Sequence, residues 1–448
     1  MFTIRYGPPK AFRDRFSLSA GESGAEDYLA ASFLPDETTE QVIADSAIKP
    51  SDTVTDPETI AINTSNELAG SLGDEDSNGG SEEISPSPAE VVAMEATLGG
   101  AVLKKLADGD YQTKVSLAAG QTITMVAEEP IRFVYLIWSK APDAPILVAD
   151  GMQYAAGQHG FLHELLVLKR ATEQIELTVG GDSVLADVYL LGPGALPAWV
   201  ERWQPPLAQA DLLVLPTHAD DELLFFGGIL PTYAGERRMA VQVVYMTGNW
   251  VGGERMHEAL NGLWTVGVRN YPVVGPFNDK VASKDSLAAA TEIYGHDAVL
   301  TFQVEMLRRF KPLVVVGHDL KGEYGHGAHR LNALTLTEAL ELSGNAGSYP
   351  QSAATYGLWD VPKAYLHLYA ENKIVMDWTV PLDSFAGRTA FDMAVEGYDK
   401  HVSQHRYAFA VKLGGTWEDC RKFGLYRSTV GPDIEKNDLF ENLAERKE

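Results

Sequence analysis

Hydrophobic and polar positions change rhythm twice along this chain. From about Thr97 to Pro197, short apolar runs are broken by turn residues, as in "TKVSLAAG", "QTITMVA", "IRFVYLIWS", "APILVADG", "GFLHELLVL", "TEQIELTVGG" and "LADVYLLGPG". Alternation with β-branched residues at this spacing predicts an all-β, jelly-roll-like sandwich over residues 95–200. After "PAWVERWQPP" the grammar switches to apolar strands alternating with amphipathic helices. The strand candidates are "DLLVLPT", "AVQVVYMTG", "NYPVV", "PLVVVGHD" and "KAYLHLYA"; helical segments between them include "ERMHEALNGLWTVGV" and "SLAAATEIYGHDAVLTFQVEMLRRF". Strands that are apolar throughout are buried on both faces. The pattern therefore predicts an α/β domain over 205–448, a Rossmann-like, doubly wound, mostly parallel sheet. In such sheets a binding crevice opens outside the carboxyl ends of the strands.

Neither rhythm holds before Thr97. Between Arg15 and Lys104 the only basic residue is Lys49, and stretches such as "GSLGDEDSNGGSEEISPSP" are acidic, small and polar. Too little apolar surface is available there to offset the entropy of ordering, so residues 35–94 read as a disordered acidic linker after a 1–34 segment with no assigned structure. The formal net charge of -26 over 448 residues disfavours nucleic acid or an anionic membrane as partner, since both would be repelled. A single cysteine, Cys420, excludes an internal disulfide and a cysteine-based metal site, leaving His, Asp and Glu to hold any ion. No apolar run is long enough to span a bilayer, and the first residues lack the apolar stretch of a signal peptide. The chain as written carries no export address, which fits a cytoplasmic protein or one whose true start lies upstream, while an acidic spacer ahead of a sandwich favours the bacterial surface or secretion.

The candidate chemistry begins where the first α/β strand ends, in "LLVLPTHADDELLFFGG" (Leu212–Gly228). A dinucleotide site would need G-x-G-x-x-G at this turn, but the glycines come too late and the acids would repel a pyrophosphate. What the turn offers is His218 and Asp221, three residues apart and able to converge on one point, two-thirds of a divalent metal site. After the fourth strand, "VVVGHDLKGEYGHGAHRLNALTL" sets His326 and His329 three residues apart on one helical face. Two histidines and one aspartate with water at the open positions make a hydrolytic zinc site, and Asp220 is left as general base.

"HADDE", a strand ending "MTG", "GEYGHGAH" and the later "HVSQH" resemble the PIG-L/LmbE family of zinc-dependent N-acetyl sugar deacetylases, from about Asp211 to the C-terminus. The resemblance implies zinc, or another divalent ion such as Fe2+, on His218, Asp221 and His329. It implies Asp220 as base, His326 as the group that polarises or protonates the tetrahedral intermediate, and Tyr324 as an oxyanion partner. Arg255 and Glu258 resemble family positions near the substrate, and His318 and Asp319 stand where a sugar hydroxyl could be met. Ala219 replaces the usual proline of the first motif. Ala328 replaces the aspartate that orients the catalytic imidazole, a task left to Asp319 or Glu323. His367 reads as a satisfied core histidine. In the sandwich, Trp138, Tyr154 and His159 are candidate sugar platforms, or else core aromatics.

The expected activity is hydrolysis of the N-acetyl group of an N-acetylated amino sugar, of GlcNAc type. The alternatives are an amidase acting on a sugar-thiol or other amide conjugate, and a glycan-binding protein with a weak metal site.

Overall fold

The structure, a computed structural model, describes residues 87–248 and 253–444. The 1–34 segment and the linker as far as residue 86 lie outside the described residues. The first part of the described chain is all β: β1 (Val91–Val92), β2 (Met94–Leu98), β3 (Ala101–Val102), β4 (Val115–Leu117), β5 (Thr122–Trp138), β6 (Ile146–Ala149), β7 (Met152–Ala155), β8 (His163–Thr178) and β9 (Ser183–Leu191). Residues 87–94, expected in the linker, are instead ordered. Val91 pairs with Leu191 of β9, and Val91, Val92 and Met94 pack on the β core.

These nine strands join in one antiparallel hydrogen-bonded network rather than two separately bonded sheets. Its curvature comes from the long strands. β5 loses register with β8 between Val126 and Ile131, where Glu128, Glu129 and Pro130 intervene. Proline has no N–H for the ladder, so pairing lapses and the strand bends. One half of β5 then pairs with β2 and the other with β9, and Ile123, Met125, Val134, Leu136 and Trp138 from both halves close on a shared core.

The second part carries β10 (Leu212–Val214), β11 (Val241–Gly248), β12 (Val273–Asn278), β13 (Val314–Gly317), β14 (Lys363–His367), β15 (Lys373–Val375) and β16 (Lys422–Ser428). Their order is β12-β11-β10-β13-β14-β16-β15, parallel from β12 to β14 and antiparallel at β16 and β15. Alternate residues serve opposite faces: Leu212 and Val214 enter the core shared with the β unit, while Leu213 packs with Val315 and Val244 on the other side. This two-sided burial explains the uninterrupted apolar strands. From β10 the chain winds outwards through β11 and β12, then returns to β13 on β10's other side, so the sheet order reverses between β10 and β13. A crevice opens at such a point.

The helices used below are α1 (Asp221–Leu224), α2 (Glu254–Thr265), α3 (Leu287–Tyr294), α4 (His296–Phe310) and α5 (Gly327–Leu342). The stretch from Ser286 to Phe310, read as one helical segment, is two helices. Ser286 caps α3, accepting from Ala289 N–H at 3.1 Å, and Gly295 at φ 77° breaks the run before α4.

All described residues fall in one compact unit. The β unit abuts the sheet domain through Phe161 stacked on Tyr271, with ring centroids 4.6 Å apart, and through Trp264 Nε1–H donating to Ala198 O at 2.9 Å. No described helix is long and apolar enough to cross a membrane.

Candidate metal centre

The crevice between β10 and β13 gathers the histidines and acids of both motifs. His218 Nδ1 lies 3.2 Å from Asp221 Oδ2 and 3.2 Å from His329 Nε2, and His329 Nε2 lies 3.3 Å from Asp221 Oδ2. Tetrahedral zinc with bonds of about 2.0–2.1 Å sets its ligand atoms about 3.3 Å apart. The three atoms thus have the spacing of three ligands on one face of such a shell. The electrostatics of the trio are compatible with a cation. Burial alone would raise the Asp221 carboxyl, but His329 and His218 beside it hold it well below the usual carboxylate range. Burial lowers His329 in turn, and Asp221 and Glu323 overcome this to lift it to about 10. Two other trios could hold an ion, His218–His326–His329 and Asp221–His318–His329. The second is poor because His318 Nε2 already accepts Thr217 N–H at 2.9 Å.

Glu323 is the hub beneath this triangle. Fully buried, its Oε2 accepts from His329 Nδ1 and from His318 Nδ1, both at 2.8 Å, and its Oε1 accepts from His367 Nδ1 at 2.7 Å. Burial would raise its pKa, but His318 leads the neighbours that hold it well below the usual range. A carboxylate on Nδ1 fixes the tautomer and leaves Nε2 free for an ion. Glu323 therefore orients His329, not His326 as expected. His326 is set by its own helix: as N-cap of α5, its Nδ1 accepts Ala328 N–H at 3.2 Å. The ring proton then belongs on Nε2. Burial and the flanking His329 and His218 push His326 down to about 2, so it is neutral. Gly322 and Gly327 of "GEYGHGAH" are required by space, since a Cβ would lie 2.5 Å from His326 O at the first and 2.0 Å from Ser286 O at the second.

Asp220 and Asp221 face different ways. Asp220 has φ 132°, a conformation that costs a non-glycine residue roughly 1–3 kcal/mol. It is held by its N–H donating to Glu222 Oε2 at 2.9 Å and by Arg255, whose guanidinium lies 3.2 Å from Asp220 Oδ1 and donates to Ala219 O. Burial pushes the Asp220 carboxyl up to about 6, although Arg255 favours the carboxylate.

A cavity of about 400 Å³ opens over the cluster. His218, Asp220, Asp221, Arg255, His326 and Tyr324 line it, and Tyr324 is 42% exposed. A second hollow of about 430 Å³, with Arg238 and Arg269 in its wall, begins at Val241, at the opposite end of the sheet, and holds none of these groups.

Two expected substrate contacts are not in the cavity wall. His318 is buried with both nitrogens engaged, and Asp319 Oδ1 accepts Lys321 N–H at 3.2 Å in the turn that leads to Glu323. Glu258 binds Ser403 N–H and Oγ–H, each at 2.6 Å, which steadies the turn before Gln404. Trp138 is fully buried and offers no sugar platform, while Tyr154 Oη accepts Lys169 N–H at 2.9 Å. Asp279 was missed: it follows β12, reaches within 3.6 Å of His218 Nε2 and lines the cavity with Gln404, Tyr407 and Phe409. An acid just beyond a strand end was its only sequence signal.

No family model matches the chain. Among curated proteins it is similar to the 1D-myo-inositol 2-acetamido-2-deoxy-alpha-D-glucopyranoside deacetylase of Rhodococcus jostii, with 28% identity over 183 residues, 36% of this chain and 61% of the relative. It is also similar to deacetylase 2 of that name from Saccharopolyspora erythraea, with 28% identity over 176 residues, 34% of this chain and 63% of the relative. The chain thus spans less than two-thirds of the length of either. Among solved structures, N,N'-diacetylchitobiose deacetylase from Pyrococcus horikoshii aligns with 18% identity, 45% of this chain, 74% of that chain and a TM-score of 0.34. The curated relatives are deacetylases of the PIG-L/LmbE family, the family that the paired motifs resemble.

Proposed function

We propose that this chain is a zinc-dependent hydrolase that removes the acetyl group from an N-acetylated amino sugar of N-acetylglucosamine type. The observation that carries the reading is the triangle of His218 Nδ1, Asp221 Oδ2 and His329 Nε2, with edges of 3.2–3.3 Å, beside a separately held Asp220 at the cavity wall. It is supported by the relatives, whose names give an acetamido sugar as substrate. A cavity of about 400 Å³ accords with a small ligand of this kind.

His218, Asp221 and His329 would hold a divalent ion, which would supply the Lewis acidity that lowers the pKa of water and polarises a carbonyl. Asp220, held by Arg255, takes the proton as water attacks the acetyl carbon. His326, neutral with its proton on Nε2, donates to the developing oxyanion, and Tyr324, which lines the same cavity, adds a second donor. The C–N bond breaks as Asp220 returns the proton to the departing amine, giving acetate and the free amino sugar. The test is to measure acetate and amine together, using zinc-loaded full-length protein and a panel of N-acetylated amino sugars. Equal release supports the reading. Cleavage confined to larger amide conjugates would favour the broader amidase, and no cleavage of any amide would overturn both.

A further inference from the structure

A second chain of buried ionisable groups lies away from the metal centre, where the β unit meets α2. His163, at the start of β8, places Nδ1 2.6 Å from Glu201 Oε2 and Nε2 2.8 Å from His257 Nδ1. Glu201 Oε2 also accepts Trp203 Nε1–H at 2.6 Å, and the rings of His163 and His257 stack with centroids 5.0 Å apart. All three ionisable residues are at most 1% exposed.

The hydrogen-bond inventory orders this chain. A carboxylate only accepts, so His163 Nδ1 carries a proton towards Glu201. One further proton joins His163 Nε2 to His257 Nδ1. Whichever ring owns it, His257 Nε2 is left buried without a hydrogen-bond partner among the described residues. Burial with an unmet polar atom is unfavourable, so an apolar contact here would serve stability better. The arrangement calls for another explanation, and helix α2 supplies it.

Its first five residues are fastened at three points. Glu254 Oε2 accepts Gln112 Nε2–H at 2.7 Å from the β unit, His257 is bound by His163 of the β unit, and Glu258 is bound by Ser403. Between these anchors stands Arg255, the residue that meets Asp220 and Ala219 O. We propose that the β unit is a working part of the metal centre: the Glu201–His163–His257 chain, assisted by Gln112, positions Arg255 against Asp220 through α2. His163, Glu201 and His257 are positioning residues, since none lines the cavity.

The effect on catalysis rests on the deacetylase reading; the effect on α2 does not. In the full-length protein, His163→Phe keeps a ring without hydrogen bonds, and Gln112→Ala removes an exposed bridge. Amide exchange in α2 should quicken about tenfold in His163→Phe, and less in Gln112→Ala, while α5 is unchanged. Acetate-release kcat should fall about tenfold in His163→Phe and in Arg255→Ala, zinc content staying constant, with the double variant no slower than the slower single. Unchanged α2 exchange in both bridge variants, equal loosening of α2 and α5, or additive losses of kcat would overturn the proposal. Absence of acetate release from the unmodified chain would remove the deacetylase reading and leave the exchange measurement to decide this one.

Discussion

Glu323 Oε2 accepts a hydrogen bond from His329 Nδ1 at 2.8 Å, and this contact decides which nitrogen of His329 faces Asp221 and His218. Glu323→Gln replaces one acceptor oxygen by a donor and unsettles three histidines together. Zinc affinity, measured by competition with a chelator, should drop by about 10- to 100-fold. An unchanged dissociation constant would remove Glu323 from the site's support.

Asp220 and Asp221 are adjacent but have distinct surroundings, so their variants should separate. Asp220→Asn keeps the shape and removes the proton acceptor. Turnover should fall by roughly 100-fold or more with zinc still bound. Loss of zinc in this variant, with activity restored on reloading, would exchange the roles of the two aspartates.

Stability should depend on pH through Asp187 in the β unit. Burial pushes this carboxyl up to about 7, against its hydrogen bonds from Tyr189 Oη–H and Val188 N–H. In an unfolded chain it titrates near 3.9, so the folded state binds the extra proton between these values. Stability therefore falls as pH rises from about 4 to 7, by up to roughly 4 kcal/mol, and recovers on acidification. Urea unfolding at pH 5 and pH 8 should show Asp187→Asn gaining on the unmodified protein at the higher pH only. Parallel curves would refute the assignment.

Much of this architecture is legible in the sequence because its signals are local. The five apolar strands and the turns that carry His218, Asp221, His326 and His329 follow from patterning within a few residues. The misses come from long-range effects. The apolar pattern gives "NYPVV" as a strand ending at Val274. β12 nevertheless continues to Asn278, since it is an edge strand whose partner β11 shifts register between Tyr245 and Thr247. Ending the strand early hid Asp279. Trp138 ends the unbroken apolar run "FVYLIW", which does not reveal which side chains meet the core. His163 and His257 are 94 residues apart, and nothing in either neighbourhood announces the other.

The most direct test of the central claim is a zinc titration of chelator-treated full-length protein, followed by acetate release from an N-acetylated amino sugar. Activity should return in proportion to zinc and saturate near one ion per chain, and His329→Ala should neither bind that ion nor recover. Acetate release that persists in the metal-free protein, or a His329→Ala variant that binds zinc and turns over normally, would contradict the account.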